Sequence, residues 1–163
     1  MTGDVYVSPD QRLSVAMTDD ARERLIKHCI RAGRRETGGV LLGSYSSLHD
    51  HAMVSEVTGP PKDSVRRRWS FVRGIAGVQR RIDRAWRRER YYLGEWHFHP
   101  YTSPAPSDRD KQQVRDFAVD PAYACPEPIL VVVGGNPSMS PSFAVALVVE
   151  GKFIVLEEMT RSP

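Results

Sequence analysis

Residues 93–110 read LGEWHFHPYTSPAPSDRD, and this stretch changes its expected secondary structure twice. The apolar and aromatic residues of 93–99 predict a strand. Three prolines within 100–106 are incompatible with regular strand pairing and predict a loop. A serine followed by charged residues opens a predicted helix at 107–119. We therefore expect a strand, a loop and a helix, with the start of the helix returning to the end of the strand.

A pair of histidines occupies the end of this predicted strand. Residues two apart on a strand point to the same face, so His97 and His99 project together while Phe98 faces the core. Two imidazoles on one face can hold one metal ion, and catalytic zinc needs a third protein ligand and an open fourth position. A carboxylate in the first turn of the following helix would supply that ligand, and both Asp108 and Asp110 lie there.

Each of these features also has a purely structural interpretation. A His-x-His pair occurs by chance in many chains. Ser107 and Asp110 can form a capping box at the helix start, and Glu36 can be a solvated acid at the entrance of a strand. The chain lacks His-Glu-x-x-His, Pro-Cys-x-x-Cys and Gly-x-Ser-x-Gly patterns, which argues against the metalloproteases, deaminases and serine hydrolases that carry them.

The remaining periodicity predicts strands and helices that alternate without a strict βαβ repeat. The helices are expected at 19–32 and 74–89, and the strands at 12–17, 38–45, 52–58, 68–72, 128–133, 142–149 and 152–159. This order predicts a mixed sheet flanked by helices.

Composition limits the class of protein. A chain of 163 residues with 40% hydrophobic and 26% charged residues predicts one globular domain over 1–163. Two cysteines exclude a disulfide framework, and no apolar run is long enough to cross a bilayer. With no signal peptide in view, we expect a cytoplasmic protein without a membrane partner. The arginines of 66–68 and 80–90 are interpreted as a solvated surface, so no nucleic-acid partner is expected.

The spacing of the polar residues in the opening stretch resembles a family motif. The JAMM motif of the JAB/MPN zinc metalloproteases reads His-x-His-Pro, six residues, Ser, two residues, Asp. Here it is filled without gaps by His97, His99, Pro100, Ser107 and Asp110. The family also carries Glu-x-x-Gly-x-Leu-x-Gly upstream, which matches residues 36–43 (ETGGVLLG). The resemblance extends over about residues 21–157.

The resemblance implies a JAB/MPN-like α/β (α+β) fold, with a mixed, curved β-sheet flanked by helices, and a role for each matched residue. His97, His99 and Asp110 correspond to ligands of Zn²⁺, whose bound water becomes a nucleophile near neutral pH. Glu36 corresponds to the general base, and Ser107 to the residue that steadies the oxyanion. The bond cleaved in this family is an amide, commonly the isopeptide between a ubiquitin-like carboxy terminus and a lysine.

One residue departs from the family pattern, and the size of the chain indicates which members of the family it resembles most. Phe98 stands where the family often has a small hydroxyl residue, but it faces away from the metal position. The compact chain resembles bacterial stand-alone members associated with ubiquitin-like conjugation modules, including those of antiphage operons. The expected activity is cleavage after the terminal glycine of a ubiquitin-like protein, either to deconjugate it or to trim its precursor, with E1-like and E2-like proteins as possible partners.

Two alternatives remain at this point. Related stand-alone members process sulfur-carrier proteins, and nothing in the sequence separates that substrate from a ubiquitin-like one. A catalytically idle scaffold is the other alternative, and the intact motif argues against it. Residues 59–68 lie where the family often places an insertion near the substrate channel. Trp69 can either contact the substrate there or fill the core together with Phe71.

Overall fold

The computed structural model describes residues 3–159, which form three helices and eleven strands. The helices are α1 (Asp19–Ala32), α2 (Val78–Trp86) and α3 (Asp108–Val119). The strands are β1 (Asp4–Val7), β2 (Ser14–Met17), β3 (Thr37–Tyr45), β4 (His51–Val57), β5 (Val65–Arg66), β6 (Phe71–Val72), β7 (Tyr91–Pro100), β8 (Ile129–Asn136), β9 (Ser140–Val149), β10 (Lys152–Val155) and β11 (Glu157–Glu158).

Nine of these strands form one mixed sheet in the order β10-β9-β8-β7-β3-β4-β2-β1-β11. The pairs β7–β8 and β2–β4 are parallel and the other pairs are antiparallel. The two edge strands of this order, β10 and β11, are separated in the chain by Leu156 alone. Because one residue joins the two edges, the sheet must curl until they meet. The predicted mixed, curved sheet flanked by helices is confirmed.

Helix α1 covers one face of this sheet, as its apolar periodicity predicts. Thr18 caps the helix, because its hydroxyl accepts a hydrogen bond from the Ala21 N–H at 3.2 Å, and Gly33 ends it at a φ of 65°. Leu25 packs in the same fully buried cluster as Trp96 and Phe98 of β7. Phe98 therefore faces the core, as expected.

Helices α2 and α3 cover the opposite face. Val78, Ile82 and Ala85 of α2 pack against Val40 and Tyr92 of the sheet. Val114 of α3 packs against buried valine and leucine side chains of β8 and β9. Strand β7 thus lies between two apolar layers, so any polar residue that it turns toward α2 and α3 is removed from water.

The predicted strand at 68–72 is present only at its end, as β6 (Phe71–Val72). The chain forms a two-stranded hairpin instead, in which β5 pairs with β6, and the Arg67 N–H donates to the Ser70 carbonyl across the turn. This reversal breaks the alternation that a continuous strand would give. Phe71 is buried, whereas Trp69 is 71% exposed, so of the two alternatives left open for Trp69 the structure excludes the one in which it fills the core.

The predicted helix at 74–89 is too long. Gly77 adopts a left-handed conformation with a φ of 74° and immediately precedes α2. The N–H groups of Ile75 and Ala76 donate to the Asp63 carboxylate, which holds this segment on the preceding loop instead of in a helix. Ile75 and Trp86, which share the helical spacing of the buried residues Val78, Ile82 and Ala85, are exposed.

The carboxy-terminal prediction needs a smaller correction. The expected strand at 152–159 is divided into β10, which pairs with β9, and β11, which pairs with β1. Strand β1 was not predicted. No helix within residues 3–159 has the length and apolar character needed to cross a bilayer.

The close approach of β3 to its neighbours generates a stability prediction at Gly39. A Cβ atom there would lie 2.1 Å from the Thr58 carbonyl oxygen and 2.9 Å from the Trp96 Nε1 atom. We expect Gly39→Ala to lower the free energy of unfolding by more than about 2 kcal/mol, because backbone must move to admit the methyl group. Chemical denaturation measures this change. A midpoint equal to that of the unchanged protein would contradict the packing.

Candidate metal centre

The two histidines of β7 and one aspartate of α3 meet on the face covered by α2 and α3. His97 Nδ1 lies 2.7 Å from Asp110 Oδ1, and His99 Nε2 lies 3.2 Å from Asp110 Oδ2. The side chains project together as the strand alternation predicts. Of the two aspartates in the first turn, Asp110 is buried against the histidines, whereas Asp108 is exposed.

The start of α3 fixes the Asp110 carboxylate. The Ser107 hydroxyl accepts a hydrogen bond from the Asp110 N–H at 3.1 Å, and Asp110 Oδ2 accepts one from the Ser107 N–H at 2.8 Å. The capping box anticipated from the sequence is therefore present. It does not compete with a role for Ser107 in chemistry, because a hydroxyl that accepts a hydrogen bond still has its own proton to donate.

Glu36 approaches the same place from the start of β3. It is half-buried, and its N–H donates to the Arg67 carbonyl of the hairpin at 2.7 Å. With His99, Ser107 and Asp110 it lines a cavity of about 370 Å³. Four of the candidate site residues thus line one cavity, and the fifth, His97, contacts Asp110.

The ionisation of these groups reflects their mutual contacts. Burial acts to raise the pKa of Asp110, but hydrogen bonds from His97 and His99 and from the Ser107 backbone hold it well below its usual range. The hydrogen bond to Asp110 raises the pKa of His99. Burial raises the pKa of Glu36, an effect that the neighbouring histidines partly oppose. Glu36 is therefore the more basic of the two carboxylates in the cavity.

The donor set fits a metal ion, although the donors now contact one another. His97 Nε2 is buried and has no hydrogen-bond partner within residues 3–159. Two imidazoles and a carboxylate are ligand types that zinc prefers. The donor atoms of a tetrahedral zinc site lie about 3.3 Å from one another, and His99 Nε2 lies 3.2 Å from Asp110 Oδ2. Across that part of the chain, no three such side chains converge on a common point. A bound ion would have to replace the Asp110 contacts with the imidazoles.

The sequence did not reveal which residues pack against the His97 ring. The Phe71 ring packs edge-on against the His97 imidazole, with 5.6 Å between their centroids. A Cβ atom at Gly38 would lie 2.6 Å from that ring and 3.0 Å from His97 Cδ2. The paired glycines of the upstream motif were the available signal, because a glycine often marks a close approach between elements.

A buried ion pair beside the histidines was also missed. Arg73 Nε lies 2.7 Å from Glu95 Oε2, and both side chains are almost fully excluded from solvent. Tyr92 donates to the other carboxylate oxygen at 2.8 Å, and Arg73 donates to the Tyr123 hydroxyl at 2.6 Å. Burial raises the pKa of Glu95 to about 7, although Arg73 and Tyr92 act to lower it. Arg73 directly follows β6, and Glu95 lies in β7 two residues before His97. The ion pair therefore links the end of the hairpin to the strand that carries the histidines.

The fold and the family to which the chain belongs are shown by comparison with known proteins. Residues 18–146 match the family described as prokaryotic homologs of the JAB domain. The chain belongs to this family. The solution structure of protein DSY2949 from Desulfitobacterium hafniense has the same fold, with a TM-score of 0.62 and 19% identity over 89% of each chain.

Two relatives carry names that describe an activity. The chain is 37% identical over 145 residues to a protein of Enterobacter hormaechei named CD-NTase/cGAS isopeptidase, covering 88% of this chain and 81% of the relative. It is 30% identical over 119 residues to a protein of Sinorhizobium fredii named probable metalloprotease y4qB, covering 71% and 72%. These names support a JAB-type isopeptidase or metalloprotease.

The buried ion pair gives a prediction that is independent of any metal. Arg73→Met leaves the Glu95 carboxylate without its counter-ion, and we expect it to lower the free energy of unfolding by about 3–5 kcal/mol. Replacing both partners in Arg73→Met/Glu95→Met should restore part of this loss, because no unpaired charge then remains. Urea denaturation of both variants tests the pair. A single variant within about 1 kcal/mol of the unchanged protein would contradict it.

Proposed function

We propose that this protein is a zinc-dependent isopeptidase or peptidase that cleaves the amide bond after the carboxy-terminal glycine of a ubiquitin-like protein. The observation that supports the proposal is the meeting of Glu36, His99, Ser107 and Asp110 around one cavity, with His97 against Asp110. The reaction would release the ubiquitin-like protein from a lysine or trim its precursor. A cytoplasmic role beside E1-like and E2-like proteins, including in antiphage defence, belongs to the same proposal.

His97, His99 and Asp110 would hold the zinc. The Ser107 cap and the packing of Phe71 orient Asp110 and His97, so these two ligands are held before any ion arrives. Zinc supplies a Lewis acid and lowers the pKa of a coordinated water toward 7, which provides a nucleophile at neutral pH. Such preorganisation matters because ligands that are already ordered lose less entropy on binding.

Glu36 would move the proton. It accepts a proton from the water whose oxygen attacks the carbonyl carbon, and the raised pKa of Glu36 suits a group that must both take and return a proton. It then delivers this proton to the departing nitrogen as the carbon–nitrogen bond breaks, which leaves a carboxylic acid and a free amine. Ser107, which is exposed to the cavity, would donate its hydroxyl proton to the developing oxyanion.

The names of the relatives suggest a second candidate for the protein whose carboxy terminus is cut from its target. In four of the matching proteins the name specifies CD-NTase/cGAS as the protein concerned. A CD-NTase joined to its target through its carboxy terminus would present the same chemistry as a ubiquitin-like protein, namely an extended tail linked by an amide. We therefore include a CD-NTase conjugate as the alternative substrate.

Metal content tests the ligand set. We expect about one zinc per chain in the purified protein, and His97→Ala or Asp110→Ala should remove most of it, because each deletes one of three ligands. The matched control is Asp108→Ala, which removes an exposed carboxylate from the same helical turn. Elemental analysis of the folded variants is the measurement. Full zinc in both ligand variants would reject the assignment.

Turnover separates the base from the ligands. Glu36→Gln should retain zinc and fold, yet lose turnover by a factor of about 100 or more, as expected when a general base is removed. Asp108→Asn serves as the control that changes a nearby carboxylate outside the cavity. Initial rates on a lysine-linked conjugate give the comparison. A Glu36→Gln variant that cleaves at nearly the unchanged rate would refute the mechanism.

The cleavage position tests the substrate. We expect hydrolysis directly after the final glycine of the tail, since a side chain next to the scissile carbonyl would crowd the attacking water. Replacing this glycine with a bulky residue should lower kcat/KM at least about tenfold, or about 1.4 kcal/mol. Mass spectrometry of conjugates of a ubiquitin-like protein and of a CD-NTase identifies the bond. Cuts elsewhere, or equal hydrolysis of small amides without a tail, would contradict the proposal.

A further inference from the structure

A second cavity adjoins the one that contains the candidate ligands. It has a volume of about 520 Å³ and shares the lining residues Trp69 and Thr102 with the first cavity. Its other lining residues are Arg34, Arg68, Pro100 and Tyr101. The two cavities therefore lie side by side, with Trp69 and Thr102 on the wall of both.

The charge of the second cavity is entirely positive. Its lining contains two arginines and no carboxylate. Neither arginine forms an ion pair with any residue between 3 and 159. The positive charge of Arg34 and Arg68 is therefore not paired with a carboxylate in the described part of the chain.

Aromatic rings hold both guanidinium groups. The Arg34 guanidinium carbon lies 5.8 Å from the centroid of the Tyr101 ring, and that of Arg68 lies 4.9 Å from the Trp69 ring. Stacking engages the flat face of a guanidinium and leaves its N–H donors free at the edge, in the fork that matches a carboxylate. Each arginine is therefore supported by a ring while its hydrogen-bond donors stay available.

We propose that the Arg34–Arg68 cavity binds an acidic side chain of the substrate, an aspartate or glutamate close to the scissile bond. The inference rests on the proposed function in one respect, namely that the substrate crosses the neighbouring metal site. The cavity would select conjugates that carry a carboxylate at one particular distance from the cleaved amide. Selection of this kind acts on substrate binding and needs no change in the chemistry at the metal.

Branched peptides provide the probe. An extended peptide ending in Gly-Gly is joined through its last carbonyl to the lysine side chain of a fluorescent peptide, and all other positions carry neutral residues. One series places glutamate or glutamine at each successive position of the tail, and a second series does so around the linked lysine. Binding is measured by fluorescence anisotropy on the zinc-treated Glu36→Gln protein, so that the bond stays intact.

We expect one position at which glutamate binds about fivefold more tightly than glutamine, with the preference falling as salt is added. The preference should disappear in Arg34→Gln/Arg68→Gln. It should persist in Arg80→Gln/Arg87→Gln, which removes the same charge from exposed arginines of α2 and its end. Equal melting temperatures of the two double variants show that the change is local.

Two results would overturn the inference: no position that prefers glutamate, or a preference that survives in Arg34→Gln/Arg68→Gln. The proposed peptidase activity is tested separately, by measuring cleavage of the same peptides by the unaltered protein. Cleavage without a glutamate preference rejects the acidic-residue site and keeps the peptidase. A preference that depends on Arg34 and Arg68, without cleavage, keeps the site and rejects the peptidase.

Discussion

A single carboxylate, that of Asp110, contacts both imidazoles of the central strand and also closes the capping box of α3. Its position decides where the helix begins relative to β7, and hence how the loop of residues 101–107 must run. The cost of burying this charge is offset by its hydrogen bonds from His97, His99 and the Ser107 backbone, which keep it ionised. The geometry of the candidate site follows from this one group.

Strand β7 has apolar side chains on one face and buried polar side chains on the other, and the candidate site lies on the polar face. Trp96 and Phe98 face α1 and complete an apolar core, whereas Glu95 and His97 face the other helices and are equally removed from water. Buried polar groups of this kind are costly unless each is paired. Arg73 meets Glu95, while His97 Nε2 has no partner in the part of the chain that the structure describes. His97 thus contacts Asp110 through Nδ1 only, and its second ring nitrogen is buried without a partner in that part of the chain.

Local patterns in the sequence predict much of this arrangement. Strand alternation predicts that His97 and His99 project together, and the helix start predicts a carboxylate nearby. The choice of Asp110 over Asp108 came from the resemblance to the JAMM motif. The closing of the sheet through Leu156 was not predictable in this way, since it depends on which distant strands pair. The same holds for Arg73 and Glu95, which lie apart in sequence and pair only once β6 reaches β7. The hairpin at 65–72 was missed although its two short strands are neighbours in the sequence.

Crystallography at the zinc absorption edge tests the central claim most directly. The account predicts one anomalous peak in zinc-treated crystals, in contact with a nitrogen of His97, a nitrogen of His99 and the carboxylate of Asp110, with Glu36 near the ion but outside its ligands. Zinc-treated crystals that show no peak at this position, with Asp110 still bonded to both imidazoles, would contradict it.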